Sequence, residues 1–321
     1  MNSSKSSLPE RMRAAQVTRY GGPEVINITE VPLPAVKPGT MLVRVAASAV
    51  NSGDVRTRGL QVDEPIRTLM RLVLGFRKPR QPILGTVFSG TVAALGSGVT
   101  SFKVGDAVFG SSPGMRYGCH AEYVTIPASG PVALMPKSMG FDEAAALPFG
   151  GNTALYFLEK HGAKAGESIL INGAAGAVGT MAVQIAKNLG LEVTGVASEK
   201  NRALVCALGA DRFIDYTRDN VFAPGVRYDL ILDTVGKLDK TRVKAALKPG
   251  GRFINVCGSD VSKENRQQVE RLAQWFEAGT LKVAIYNTLP MDEIREAHRI
   301  VDTGHKRGSV VLMMQQEERI R

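Results

Sequence analysis

Cysteine is scarce in this 321-residue chain, limited to Cys119, Cys206 and Cys257, and aromatic residues make up only 6% of it, with a single tryptophan. Three scattered cysteines have neither the even count of a disulfide framework nor the paired spacing of a structural zinc lobe. A reducing, cytoplasmic setting fits them best. The formal net charge is +10. With few aromatics and no zinc-finger or RNA-binding signature, nucleic acid is nevertheless not expected as the main partner. Lysine and arginine are spread widely, densest at Arg77-Lys78-Pro79-Arg80, and a positive field that attracts phosphate-bearing small molecules explains the excess as well. No apolar run approaches the roughly 20 residues of a membrane-spanning helix. The polar start lacks the apolar centre of a secretory signal, so residues 1–11 read as a flexible tail.

The most informative stretch runs from Ser168 to Gly190. A short apolar run, Ile169-Leu170-Ile171, meets a glycine turn and then an amphipathic pattern at Val178, Met181, Ala182, Ile185 and Ala186, which predicts a buried strand, a tight loop and a helix. Ala174, Gly176 and Gly179 stand in the G-x-G-x-x-G spacing with its first glycine replaced, and Gly173 precedes them. Backbone N–H groups at such a helix start face an anion, most plausibly a dinucleotide pyrophosphate. The loop residues expected to hold it are Gly173, Ala175, Gly176, Ala177, Val178 and Gly179.

The chain is long enough for two domains. From Met12 to about Tyr123, short strands such as 25–28, 41–45 and 91–95 lie between Gly/Pro turns, the texture of a compact β domain. From about Phe141, strands at 168–172, 191–197, 212–215, 229–233 and 252–256 alternate with helices at 177–189, 199–208, 237–247 and 263–278. That alternation predicts an α/β fold with a doubly wound parallel sheet. A helix over 291–302 and a strand over 310–312 are expected to return to the first domain. The domains are thus expected at 12–140 with 290–321, and at 141–289. The first domain contains an insertion at 62–82, with helix signals from Asp63-Glu64-Pro65 to Gly75 and an apolar face beside arginines. It reads as a helix covering the core, as a mobile lid, or as a membrane-surface contact.

Ordered landmarks carry a family resemblance. They include Asn51-Ser52-Gly53-Asp54, Val104-Gly105-Asp106-Ala107-Val108, Ala121-Glu122-Tyr123-Val124, Ala144-Ala145-Ala146-Leu147-Pro148 with Thr153-Ala154, the glycine loop, Leu208-Gly209-Ala210-Asp211 and Asp233-Thr234-Val235-Gly236. In this order the chain resembles the zinc-independent quinone oxidoreductases of the medium-chain dehydrogenase/reductase superfamily, over nearly its whole length after Met12. The resemblance implies a GroES-like β domain joined to a Rossmann domain, a nicotinamide between them, and NADPH-dependent reduction of quinones or activated C=C bonds. It implies a small-molecule quinone or enone as partner and leaves a homodimer open, because the link from Cys257-Gly258 to the helix around Gln267 is shorter than usual. Two further departures are Val87, where the family usually has an acid, and Gly308-Ser309, where it has Gly-Lys.

Zinc alcohol dehydrogenases of the same superfamily are the obvious competitor. Where they place a cysteine ligand this chain has Asn51, and Gly-His-Glu is replaced by Gly85-Thr86-Val87. Cys119 and His120 are adjacent, so on a strand they point to opposite faces, one packed and one exposed. No metal site is expected. By resemblance, Asn51, Asp54 and Thr153 lie beside the nicotinamide or substrate, with Asn51 and Thr153 as hydrogen-bond donors and Asp54 as an orienter. Ser198, Lys200 and Arg202 suit a 2′-phosphate, with a donor hydroxyl and positive charge, and so favour NADPH. Tyr216 matches a phosphate contact of the family. Val235, Gly236, Val256, Cys257 and Gly258 follow the fourth and fifth strands, where loops form the ligand crevice. An alcohol dehydrogenase acting on simple carbonyls and a non-catalytic dinucleotide-binding redox sensor are the alternatives.

Overall fold

A computed structural model describes residues 8–60, 66–114, 116–258 and 260–314. Most of the tail expected before Met12, the Asp63-Glu64-Pro65 start signal and the last seven residues lie outside them. Strands β1 (Arg11–Val17) and β2 (Ile26–Pro32) form an antiparallel ribbon. The long strand β3 (Thr40–Val50) organises the first sheet. Its apolar and small residues are buried on both faces over most of its length, which only a central strand can satisfy. Helix α1 (Ser52–Gly59) follows it directly, and α2 (Ile66–Leu74) lies in the insertion. Strands β4 (Val87–Leu95), β5 (Ala107–Ser111) and β7 (Val132–Leu134) continue the sheet on one side of β3. On its other side β6 (Tyr123–Pro127) pairs with residues 40–44.

Helix α3 (Phe141–Lys160) then crosses into the second region. There β8 (Ser168–Asn172), β9 (Glu192–Ala197), β10 (Arg212–Asp215), β11 (Tyr228–Asp233) and β12 (Leu247–Asn255) form a sheet in the order β10-β9-β8-β11-β12, every pair parallel. Chain order reverses between β8 and β11, which opens a crevice at the strands' carboxyl ends. The crossovers are α4 (Ala177–Asn188), α5 (Arg202–Ala207) and α6 (Lys240–Ala246), with α7 (Arg266–Glu277) after β12. The α/β class and doubly wound sheet expected from the sequence are found.

The chain crosses back earlier than expected. β13 (Ile285–Pro290) runs parallel to β14 (Ser309–Met313), and helix α8 (Ile294–Asp302) links them. β14 pairs antiparallel with residues 47–50 of β3, so it shares that edge with β6. A strand over 285–290 was not expected, because its alternation is weak and Pro290 closes it. Among the described residues no helix is long and apolar enough to cross a membrane.

α3 joins the two halves. Ala144–Pro148, Gly150–Leu155, Phe157 and Leu158 are buried; one core cluster unites Ala144, Leu147, Ala154, Leu155, Phe157 and Leu158 with residues of β8, β9 and α4, and a second packs Ala145 and Ala146 against β3 and β14. Pro148 removes one helical N–H, yet burial on several sides outweighs that loss. Gly150 lets α3 approach α4, since a Cβ there would lie 2.2 Å from the Ala177 carbonyl oxygen.

Candidate active site

The crevice at the switch point widens into a cleft of about 650 Å³ between the two sheets. One wall is the glycine turn: Gly173, Ala175, Gly176, Ala177 and Val178 line it. Gly176 is the N-cap of α4 and offers no side chain, so the first N–H groups of the helix have no capping oxygen of the protein's own. Gly179 does not face the cleft. A Cβ there would sit 2.1 Å from the Gly173 carbonyl oxygen, so it serves the close packing of helix on strand.

The tip of β9 contributes Ser198, Lys200 and Asn201, and the turn after β10 contributes Tyr216. Asn201 Nδ2 donates to Ser198 Oγ at 3.0 Å, which leaves the Ser198 hydroxyl proton for another acceptor. Arg202 behaves differently from the expectation. It forms two hydrogen bonds to the Glu199 carboxylate, at 2.7 and 2.8 Å, and lies 4.4 Å over the Phe213 ring. Arg202 is one turn further into the helix start, and its acid neighbour turns it away. Glu199 is held by the same pair; its carboxyl is kept below its ordinary value by the Arg202 hydrogen bond.

After β11, Thr234, Val235, Lys237 and Leu238 line the cleft, with Cys257 beyond β12. Asp233 shapes this loop. Its Oδ1 accepts from Asn172 Nδ2, Val235 N and Gly236 N, and its Oδ2 from Leu238 N, all within 2.9–3.0 Å. Gly236, Val256 and Gly258 are not among the residues that line the cleft, and Cys257 points its Sγ at the Thr234 carbonyl, 3.6 Å away.

The opposite wall comes from the first sheet's helices. Ser52 and Arg56 on α1, Phe149 on α3, and Val301, Thr303, Gly304, His305 and Lys306 at the end of α8 complete the cleft. Lys306 was not foreseen. Its Nζ donates to the Gly308 carbonyl at 2.6 Å, and Gly308 N donates to the Ala175 carbonyl at 2.9 Å, beside a parallel bridge between Gly176 and Gly308. The turn at 303–308 therefore touches the glycine loop from across the cleft. Among the described residues no carboxylate pairs with Lys306, and burial alone pulls its amine down to about 8. The only signal in the sequence was a lysine just before a return strand. Its neighbour in space is 130 positions away.

Asn51 caps α1. Its Oδ1 accepts from Gly53 N and Asp54 N, and its Nδ2 donates to Thr86 Oγ1 at 2.8 Å. Asp54 is fully buried and accepts from the backbone N–H of Asn51 and of Gly85, each at 3.0 Å. Burial raises its carboxyl above the ordinary value, against the pull of His120 at 3.9 Å. Thr153 does not donate outward: its hydroxyl donates back to the Phe149 carbonyl at 2.7 Å, one helical turn away. What it offers a ligand is its lone pairs.

Behind this wall lies a buried polar cluster that the sequence did not reveal. Arg58 is 1% exposed, donates to His298 Nδ1 at 3.0 Å and grips Asp302 with two bonds at 3.0 and 2.8 Å. It thereby fixes α1 to α8. Burial lowers the pKa of both His120 and His298, whose rings meet edge-on. The expectation that one of Cys119 and His120 is exposed is wrong, because both are buried. They lie where β-ribbon, sheet and α8 converge, so both faces of the segment are covered. Among the described residues no three His, Cys, Asp or Glu side chains come together as a cation cage.

The domain family described as "Alcohol dehydrogenase GroES-like domain" matches residues 37–137, and "Zinc-binding dehydrogenase" matches residues 208–312. A 2-methylene-furan-3-one reductase of Solanum lycopersicum is 31% identical over 97% of this chain and 81% of its own length. The quinone oxidoreductase of Homo sapiens is 29% identical, covering 94% of this chain and 98% of its own. The solved quinone oxidoreductase of Coxiella burnetii superposes with a TM-score of 0.84 at 28% identity, covering 95% of this chain and all of that one. A two-walled cleft at a doubly wound switch point, on a chain of which these relatives match 94–97%, places the protein in the quinone oxidoreductase group of the medium-chain dehydrogenase/reductase superfamily.

Proposed function

We propose that this protein is an NADPH-dependent reductase of quinones or α,β-unsaturated carbonyls that works without zinc in a reducing, cytoplasmic setting. Its three cysteines are unpaired, as that setting requires. The observation that carries the reading is the pairing of an uncapped helix start with the half-buried ammonium of Lys306, which has no carboxylate partner among the described residues, across one cleft. A partly desolvated cation without a counter-charge is costly, and a diphosphate relieves that cost from both sides at once. Similar proteins support the chemistry: one from Arabidopsis thaliana, 30% identical, is an NADPH-dependent alkenal/one oxidoreductase.

The donor set fits a dinucleotide. The N–H groups of Ala177 and Val178 and the Lys306 ammonium take the diphosphate. Ser198, Lys200 and Tyr216 at the far end take a 2′-phosphate, and no acid there faces the cleft to prefer an unphosphorylated ribose. The bound cofactor supplies a hydride. Thr234 and Val235, which line the cleft, orient the nicotinamide end, Phe149 keeps that end dry, and Thr153 lies one helical turn after Phe149 on α3. Asn51 spends one amide N–H on Thr86 and retains the second for the carbonyl oxygen of the acceptor. Asp54 acts on Asn51 by holding its backbone. An already electrophilic acceptor delocalises the added charge through its carbonyl, so these donors suffice.

The test is NADPH oxidation with a benzoquinone, an enone and a simple aldehyde, before and after chelation. Turnover with the first two alone, unaltered by chelator, is expected. Turnover with the aldehyde alone, or activity lost to chelator and restored by zinc, refutes the reading.

A further inference from the structure

Among the described residues, the insertion holding α2 does not line the cleft, yet it concentrates charge and apolar surface. Residues 66–82 contain Arg67, Arg71, Arg77, Lys78 and Arg80 and no acid, a net +5 against the chain's +10, and Asp63 and Glu64 precede them. Leu72 and Phe76 are 59% and 67% exposed, and Val73 is exposed beside them. Arg71, Arg77, Lys78 and Arg80 are exposed as well.

The base of this segment is firmly anchored. Leu74 is buried, Tyr20 Oη donates to the Gly75 carbonyl at 2.8 Å, and Arg80 N donates to the Leu74 carbonyl at 2.6 Å. Gly75 has φ +126°, and a Cβ there would meet the Lys78 carbonyl oxygen at 2.1 Å, so only glycine permits the turn that presents Phe76. Exposed apolar side chains thus sit on a fixed base, interspersed along the chain with exposed cationic ones. Arg71 also lies 6.0 Å over the Phe76 ring.

We propose that this segment docks the protein peripherally on an anionic lipid bilayer. Leu72, Val73 and Phe76 would enter the boundary between headgroups and acyl chains, and Arg71, Arg77, Lys78 and Arg80 would meet the lipid phosphates. Exposed apolar side chains suit a soft apolar medium, which needs no preformed pocket, whereas a folded protein partner would. Arginine and lysine stems lie along the apolar surface while their charged ends reach outward. A bilayer also concentrates lipophilic acceptors, although the docking itself is independent of any turnover.

The experiment is co-sedimentation of the full chain with vesicles of phosphatidylcholine alone and of phosphatidylcholine mixed with phosphatidylserine. Wild type should bind the mixed vesicles and be released by high salt. The double variant Leu72→Ser/Phe76→Ser should weaken partitioning at least about tenfold, because two apolar side chains leave the interface. Arg77→Glu/Lys78→Glu should weaken it about 25-fold or more, from a factor of about five for each cation lost. Unchanged circular dichroism and unchanged turnover of a water-soluble quinone would show that both variants stay folded. Absence of wild-type binding to mixed vesicles overturns the proposal. So does equal binding by the Leu72→Ser/Phe76→Ser variant, which would show that no apolar insertion takes place, or equally tight binding to soluble polyglutamate, which would show that any acidic polymer serves as partner.

Discussion

Replacing Lys306 by methionine keeps most of the side-chain volume and removes the cation that faces the glycine loop. In the free protein burial holds that amine at about 8, well below the 10.5 of an ordinary lysine. The folded state therefore disfavours the charged form, and stability is lost as pH falls from the unfolded value through the folded one. A bound diphosphate reverses the balance and returns the amine toward its ordinary value. NADPH binding should then take up about half a proton at pH 8 and about a tenth at pH 7, given a free amine near 8. A charge-assisted contact of about 1.5–3 kcal/mol corresponds to a Kd about 10- to 150-fold weaker in Lys306→Met. NADH should lose as much as NADPH, because both contain the diphosphate. Calorimetry at pH 8 in two buffers of different ionisation enthalpy gives Kd and proton count together. Wild type that binds NADPH without proton uptake, or a variant with unchanged affinity and proton count, refutes the role given to Lys306. Wild type that binds neither nucleotide would instead remove the reductase reading itself.

Three further substitutions probe the adenosine end of the cleft and a carboxyl outside it. Lys200→Ala should weaken NADPH about tenfold and leave NADH nearly unchanged in fluorescence titrations, whereas Arg202→Ala, whose guanidinium is already held by Glu199, should alter neither by more than about twofold. Glu264, half-buried against Ser111 where the loop before α7 meets β5, has its carboxyl pushed up from 4.5 to about 7 by desolvation. The unfolded chain releases this proton first, so stability is lost as pH rises from 4.5 to about 7. Glu264→Gln should flatten the fall of the denaturant midpoint across that range relative to wild type, and parallel pH profiles would contradict this.

The parts of the site written in local sequence were readable. The strand, glycine turn and helix from Ser168 to Asn188 depend on neighbours within a few residues, and Asn51 to Asp54 form a cap whose partners are three positions apart. Other parts depend on distant packing. α3 was not anticipated because Pro148, Gly150 and Gly151 look like breakers; burial between the two sheets keeps the helix, and the glycines give it close neighbours. Lys306 and the Arg58–His298–Asp302 cluster exist only because β14 returns to β3, a pairing between residues more than 250 positions apart. Arg202 was misplaced for the opposite reason. Its residue type suits a phosphate, but an acid three positions before it captured the guanidinium first.

The hydrogen bond from Gly308 N to the Ala175 carbonyl ties the closing segment of one half to the nucleotide turn of the other. Any opening of the cleft that preserves this tether must rotate about it. Displacement is then smallest at the diphosphate cradle and grows with distance, toward Asn51. On the proposed reading, an acceptor would come and go through such a swing while the midpoint of a bound dinucleotide scarcely moved.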